Sequence, residues 1–460
     1  TRLLSAGCAG IQVVAQVGER YDVVVVGAGI AGTLVSGRIA GAGHRVLMLD
    51  RRSADDLFSD SYDLVESQAF KVAGIDPANP DVTCPFSGLR VVSPDTATIV
   101  DVPTAPFLII NRGLLERELF SRARDAGVDV VMECTAGNAE ISRGRVTGVS
   151  TDRGSFPCAL AIGASGLDRS LCRDLPTGMG IPRRLRTTDY VSVYRERRDV
   201  SDDDGGGTTV PGLFEYHIGR FGGYSWTYAT ADGVIDIGTG VQDVAGSPDP
   251  REIVLGYVRS HGSVGEQVLS REGGRIPTRR PLNSMVAAGL TIVGDAACQA
   301  SPVIGRGVAG ALTGAALAAD AAVKALSSGE ASQAALWPYN YEYMRSRGAY
   351  MAALDCLRLL LQRLSGKDLS WSMAKGVIGA QEVAATLTGV FEVPRAQIRL
   401  KALWKGLKSV PLLARYDSTL KLSQKVLDHY MRYPDAYEAP EFAEWSQQAD
   451  FLFEDMARRA

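Results

Sequence analysis

The segment Val23-Val24-Val25-Val26-Gly27-Ala28-Gly29-Ile30-Ala31-Gly32 constrains the fold of this chain more than any other. A β-branched run reads as a buried strand, and G-x-G-x-x-G directly behind it reads as the turn into a helix. The first glycine permits the tight turn and the second lets a pyrophosphate approach the backbone. The third lets helix and strand pack closely, so that the first N–H groups of the helix face the phosphates. Residues 33–40 read as that helix, and 45–49 as a second buried strand ending in Asp50. An acid about twenty residues beyond the glycines suits a ribose hydroxyl. Together these make a βαβ opening on a parallel sheet that binds a dinucleotide. Gly27, Ala28, Gly29, Ile30, Ala31 and Gly32 are its expected cofactor contacts, with Asp50 and Arg51 at the end of the second strand.

A second motif near the other end of the chain favours FAD over NAD. Thr291-Ile292-Val293-Gly294-Asp295-Ala296-Ala297 reads as a buried strand ending in Gly-Asp, followed by Pro302, Gly305, Gly307 and Val308 and an Ala-rich helix. A carboxylate after a strand suits a ribityl hydroxyl, and a glycine-bracketed helix start suits the flavin ring and its anionic edge. The plainer alternative is that Asp295 caps a helix.

The 460 residues exceed one small core, and a formal net charge of -3 argues against a nucleic-acid partner. Seven scattered cysteines point to free thiols in a reducing, cytoplasmic setting, and four dispersed histidines give no metal site. Cys298 reads as a small buried hydrophobe. Residues 308–326 form the most apolar run but carry Asp320 and Lys324, so no membrane span is expected. Arg2, Glu19 and Arg20 make the first twenty residues a poor secretory signal.

Further along, 66–73 and 113–126 read as helices, 53–63 as loop, and 108–110, 128–132, 141–149 and 156–162 as strands running into Gly163-Ala164-Ser165-Gly166. From about residue 185 to 275 the character changes to strand-like runs (190–194, 224–228, 234–237) around the turn at 202–207, which reads as an antiparallel sheet. After about residue 349 the chain reads as helical, broken at Pro394, Pro411 and Pro434. The expected architecture is α/β: a glutathione-reductase-like Rossmann domain binding FAD, with an inserted antiparallel-sheet substrate domain and a helical C-terminal region. Residues 1–20 are an N-terminal extension, and 21–85, 106–184 and 276–348 the FAD-binding domain. Residues 86–105 and 185–275 are the substrate-binding domain, and 349–460 the helical C-terminal domain.

Gly27 to Asp50, Asn111-Arg112, Gly163 to Gly166 and Gly294 to Gly314 resemble the flavoprotein group of aromatic hydroxylases, halogenases and geranylgeranyl reductases. The finer resemblance is to the longer archaeal geranylgeranyl reductases. It rests on Ile276-Pro277-Thr278-Arg279-Arg280-Pro281, Gly223-Tyr224-Ser225-Trp226-Thr227-Tyr228, Ala164 to Ser170, residues 361–369 and Tyr430-Met431-Arg432-Tyr433-Pro434. The resemblance implies a monomeric FAD-dependent reductase of isoprenoid C=C bonds, with a polyprenyl lipid substrate and an external electron donor (NAD(P)H, ferredoxin or another reductant). It also implies that Arg112, Ala164 and Gly166 lie at the flavin or its phosphates, and that Tyr216, Tyr224, Trp226 and Tyr228 line the lipid cavity. For the aromatics, a sheet face packed into a core is the alternative reading.

Three departures fall around the expected reaction site. Ser61-Tyr62-Asp63 stands where the family carries Cys-Gly and an acid, Ala229 replaces the proline that closes the aromatic signature, and Arg306 occupies a position that is usually small or acidic. Arg306 reads either as a surface arginine or as a cation tuning the flavin. Lys401, Trp404, Lys405, Lys408 and Arg415 among Leu403, Leu407, Leu412 and Leu413 fit either an ordinary packed helix pair or a peripheral contact with the inner face of a membrane. The competing functions are a flavin monooxygenase or halogenase, although the W-x-W-x-I-P signature of halogenases is missing, and a non-catalytic flavin- or lipid-binding paralogue.

Overall fold

The computed structural model describes residues 17–201, 210–219, 223–244, 246–389 and 410–459. Cys8, the turn at 202–207, Pro394 and the basic stretch Lys401 to Lys408 lie outside the described residues.

Strand Tyr21–Val26 is buried along almost its whole length, as a strand flanked on both sides in a parallel sheet must be. It pairs in parallel with Val46–Leu49 on one side and Gly154–Gly163 on the other. Asp129–Val131 extends the sheet beyond Val46–Leu49, and Leu290–Ile292 beyond Gly154–Gly163, both in parallel. The two nucleotide-type motifs therefore end at the same edge of one sheet. Helices Ile30–Gly41 and Val308–Ser327 pack against each other over it. Val308–Ser327 is the one helix among the described residues long and apolar enough to cross a membrane, and most of it is buried in the core.

A second, seven-stranded sheet runs Val264–Pro277, Tyr190–Val200, Val234–Gln242, Tyr224–Ala229, Leu213–Ile218, Gly88–Val92, Ile99–Val102. Its pairings are antiparallel except one: Gly88–Val92 runs parallel to Leu213–Ile218. That exception follows from a strand contributed from far upstream. A small antiparallel sheet of Tyr62–Glu66, Phe107–Asn111 and Thr83–Cys84 lies between the two large ones in the chain's path.

Three local expectations change. Residues 141–149 are not one strand but the hairpin Ala136–Ser142/Arg145–Thr151, turned at Arg143 and Gly144, whose φ values of 49° and 75° suit a two-residue left-handed turn. The presumed loop 53–63 ends in a strand, Tyr62–Glu66. Pro411 does not break a helix: it sits in the first turn of Val410–Tyr430, where a missing N–H leaves no bond unmade.

Arg280, from the Ile276-to-Pro281 motif, fastens the C-terminal helices. Its guanidinium reaches Asp355 at 3.5 Å on helix Ala349–Leu361 and Asp450 at 3.3 Å on helix Ala439–Arg459, and it lies 3.7 Å over the Phe453 ring.

Candidate functional site

A cavity of about 420 Å³ opens where the strand ends of the parallel sheet face the seven-stranded sheet. Gly27, Gly29, Ile30 and Ala31 form one wall with Asp50 and Arg51; Arg112, Ala164 and Gly166 form the next. Gly294, Asp295, Gly305, Arg306, Gly307 and Val308 close a third side, and Tyr216, Tyr224 and Trp226 cover the far end. Three expected contacts lie behind the wall. The Ala28 N–H is taken by Asp50, Gly32 packs under the turn, where a Cβ would collide with the Gly27 carbonyl, and Pro302 is not on the cavity surface.

Helix Ile30–Gly41 starts at Gly29 and Val308–Ser327 at Gly307; neither start has a capping side chain or an acid in its first turn. Both therefore present the N–H groups of their opening turns to an anion from outside the helix.

Asp50 is more tightly held than the sequence suggests. One carboxylate oxygen accepts from the Arg52 N–H at 2.9 Å and Arg52 Nε at 3.0 Å; the other accepts from the Ala28 N–H at 2.7 Å and Arg52 Nη2 at 2.9 Å. Burial works to raise its pKa, but the hydrogen bonds and charge of Arg52 outweigh it and hold the carboxyl below its usual range. Arg52, the third residue of Asp50-Arg51-Arg52, was not singled out from sequence, where Arg51 was. Asp295 is the opposite case. No described residue donates to its carboxylate, and burial raises its pKa against the pull of Arg112. A half-buried carboxylate facing a cavity without donors suits a ligand that brings hydroxyls.

The FAD binding domain family matches residues 20–351. The chain belongs to that family. FAD is accordingly its cofactor, and the cavity fits it: two uncapped helix starts for phosphate and ring edge, and an unpartnered carboxylate in Asp295 for the ribityl chain. The chain is 26% identical over 446 residues to the digeranylgeranylglycerophospholipid reductase of Sulfolobus acidocaldarius, covering 94% of this chain and 97% of that protein. Its fold is that of a geranylgeranyl bacteriochlorophyll reductase-like protein from Thermoplasma acidophilum, with TM-score 0.70 and 19% identity, covering 83% and 98% of the two chains. A myxobacterial chondrochloren halogenase shares the fold at TM-score 0.60 and 16% identity, covering 94% and 97%.

Within this FAD-binding fold, replacing Asp50 with alanine is expected to weaken FAD retention by about 1–3 kcal/mol, since it strands Arg52 and the Ala28 N–H together. Fluorescence titration of apoprotein with FAD measures it. Unchanged affinity would reduce Asp50 to a strand-end residue.

The aromatic end divides in two. Tyr224, Trp226 and Tyr228 share one face of strand Tyr224–Ala229, but only the first two reach the cavity. Tyr228 is fully buried, stacked on Phe214 at 6.1 Å and beside Tyr62 at 5.1 Å, and its hydroxyl donates to the Pro85 carbonyl at 2.7 Å. The small sheet bearing Tyr62 covers that end of the face, so Tyr228 takes the core role. Trp226 has a foot in each: its Nε1 donates to Asp236 at 3.2 Å, while Asp236 also accepts from Arg195 at 2.8 Å. Arg195 and Asp63 line the cavity and approach each other at 3.7 Å; sequence gave no signal for Arg195, whose partner lies on a neighbouring strand.

Arg306 is neither a surface arginine nor a lone cation facing the cofactor. Its guanidinium meets Glu66 at 3.3 Å and donates to the carbonyls of Leu64 and Leu387, and Arg347 meets the same Glu66 at 3.5 Å. Burial would raise the Glu66 pKa, but Arg347 and Arg306 outweigh it and keep the carboxylate charged.

A second cavity, of about 190 Å³, meets the first at Tyr216, Tyr224 and Ile304. Its walls are almost wholly apolar: Val91, Ile218 and Val303 on one side, Leu354, Leu357, Leu361, Leu369, Ile378, Val383 and Leu387 from the C-terminal helices on the other. The helical spacing of Leu354, Leu357 and Leu361 is legible in the sequence; that they face a cavity is not.

Proposed function

We propose that the chain is an FAD-dependent reductase that passes hydride to isoprenoid C=C bonds of a polyprenyl lipid. The observation carrying this reading is the apolar cavity that shares Tyr216, Tyr224 and Ile304 as lining with the FAD cleft. A polar or compact aromatic substrate has little to gain from walls of leucine, isoleucine and valine, whereas a prenyl chain gains by burying apolar surface there. The name of the Sulfolobus relative supports the same substrate class. The strands of the seven-stranded sheet, from residues 86–105 and 185–275, supply the aromatic wall and act as the substrate domain; side chains between Leu354 and Leu387, with Tyr416 and Leu420, supply the opposite wall.

Bound FAD supplies the hydride. The protein's share is to orient the alkene and keep water away, because an unactivated alkene offers no carbonyl to polarise. The aromatic wall and the C-terminal leucines do both. The reducing equivalents come from an external donor, since one complete nucleotide fingerprint is present in the sequence.

The test is anaerobic. Protein carrying FAD is reduced, then mixed with a geranylgeranyl lipid or, separately, with oxygen. Reoxidation by the lipid with formation of saturated product is the expected result. Reoxidation by oxygen alone, with the lipid inert, favours a monooxygenase or halogenase and overturns the reading.

A further inference from the structure

Two hydroxyls at the junction of the cavities have no hydrogen-bond partner among the described residues. Tyr216 and Tyr224 are 6% and 8% exposed and meet edge to face at 6.2 Å. Their neighbours on the same aromatic face are satisfied, Trp226 on Asp236 and Tyr228 on the Pro85 carbonyl. Neither oxygen is sealed in the protein; both residues line the cavity, so the natural partner of each hydroxyl is something that enters it. Tyr224 is the better placed of the two. A Cβ built at Gly305 would run into its oxygen, which puts that oxygen against the glycine loop leading into helix Val308–Ser327. Ser61 is no alternative donor: it is buried, its hydroxyl is 2.5 Å from that of Ser59, and it is not on the cavity surface.

We propose that Tyr224 is the proton donor of the reaction, delivering its hydroxyl proton to the alkene carbon that does not receive the hydride. The assignment rests on the reductase reading. In balance, the alkene π pair and the hydride pair become two C–H bonds: one hydrogen comes with its electrons from the reduced cofactor, which is oxidised, and one comes as a proton from Tyr224. The O–H bond breaks, a tyrosinate remains, and it recovers a proton from solvent. The surroundings suit both halves of this cycle. Burial, with Tyr216 and Asp63 nearby, raises the Tyr224 pKa and so keeps its hydroxyl protonated. Arg306 and Arg195 act in the other direction and offset part of that cost for the transient anion. Glu66 holds Arg306 in place for this.

The experiment compares wild type, Tyr224→Phe, Tyr216→Phe and Tyr228→Phe, each carrying FAD, reduced anaerobically and reoxidised by a geranylgeranyl lipid in H₂O and D₂O. Tyr224→Phe deletes one oxygen without a protein partner, so FAD affinity, visible spectrum and lipid affinity for the oxidised protein are expected to stay within about threefold. Lipid-driven reoxidation is expected to fall about 100-fold or more, in the range a positioned acid contributes. In D₂O the wild type should add deuterium on one face of the alkene, and Tyr224→Phe should lose that facial preference as water takes over. Wild-type rate should be flat from about pH 6 to 9, and the residual rate of Tyr224→Phe should rise as pH falls. Tyr228→Phe, altering the same strand away from the cavity, should behave as wild type. A flavin-loaded Tyr224→Phe protein with wild-type rate and deuterium face overturns the assignment alone. So does a larger loss in Tyr216→Phe, or an equal loss in Tyr228→Phe. A wild type inert towards the lipid overturns the reductase reading together with it.

Discussion

Replacing Arg280 with alanine is expected to destabilise the protein by about 1–3 kcal/mol, because it leaves one oxygen of a buried carboxylate without a partner while Arg358 stays on the other. Asp355 is fully buried, and the Arg280 side chain is nearly so. Arg358 stays on one Asp355 oxygen at 2.7 Å, while the other has no hydrogen-bond donor and faces Arg280 at 3.5 Å. The same truncation frees Asp450 and uncovers the Phe453 ring on the last helix. Burial raises the Asp355 pKa, but Arg358, Arg280 and Arg279 outweigh it and hold it below the ordinary carboxylate value. A depressed carboxylate contributes stability above its unfolded pKa and loses it as pH falls through the folded one. The deficit of Arg280→Ala should therefore be largest near neutrality and shrink below the usual carboxylate range. Melting curves at neutral and acid pH, with limited proteolysis to follow release of helix Ala439–Arg459, measure both parts. A loss under about 1 kcal/mol, independent of pH, would make the Arg280–Asp355 pair incidental.

Trp226→Ala should damage two things at once. Its indole lies under the Arg195 guanidinium at 5.3 Å and hydrogen-bonds Asp236, so truncation leaves a void and a buried carboxylate short of a donor. The expected cost is about 3–5 kcal/mol of stability, the range for a large aromatic removed from a core. The variant should still bind FAD, since the glycine turns, Asp50 and Asp295 lie on other elements. Lipid-driven reoxidation should slow about 100-fold, because losing one wall lets the alkene drift by about 1 Å from its reacting position. Reoxidation by a small soluble acceptor, which does not depend on that wall, should hardly change. If both acceptors slow together with loss of flavin, Trp226 is purely structural; if neither slows, the cavity beside it does not hold the reacting lipid.

Much of the cofactor site was legible because its chemistry is written in local segments. Val23 to Gly32 and Thr291 to Gly307 each carry a complete instruction: strand, turn, helix start and an acid at a fixed spacing. Arg52 was not legible, since nothing in Asp50-Arg51-Arg52 says which arginine folds back on the carboxylate. The aromatic signature was half legible. Period-two alternation correctly put Tyr224, Trp226 and Tyr228 on one face, but a strand pattern cannot say how much of a face another sheet will cover.

The sequence by itself determined the FAD-binding fold, because short-range sterics and helix-start electrostatics decide it within a few turns of chain. Only the tertiary structure decided what each long-range polar group meets: Arg306 with Glu66, Arg195 with Asp236, Arg280 with Asp355. These pairs join residues from separate elements, and a buried charge takes whichever opposite charge the packing brings within reach, which sequence spacing does not encode. The same holds for the apolar cavity. A leucine stripe on a helix reads alike whether it meets another side chain or an empty space shaped for a lipid, and the difference lies wholly in the packing around it.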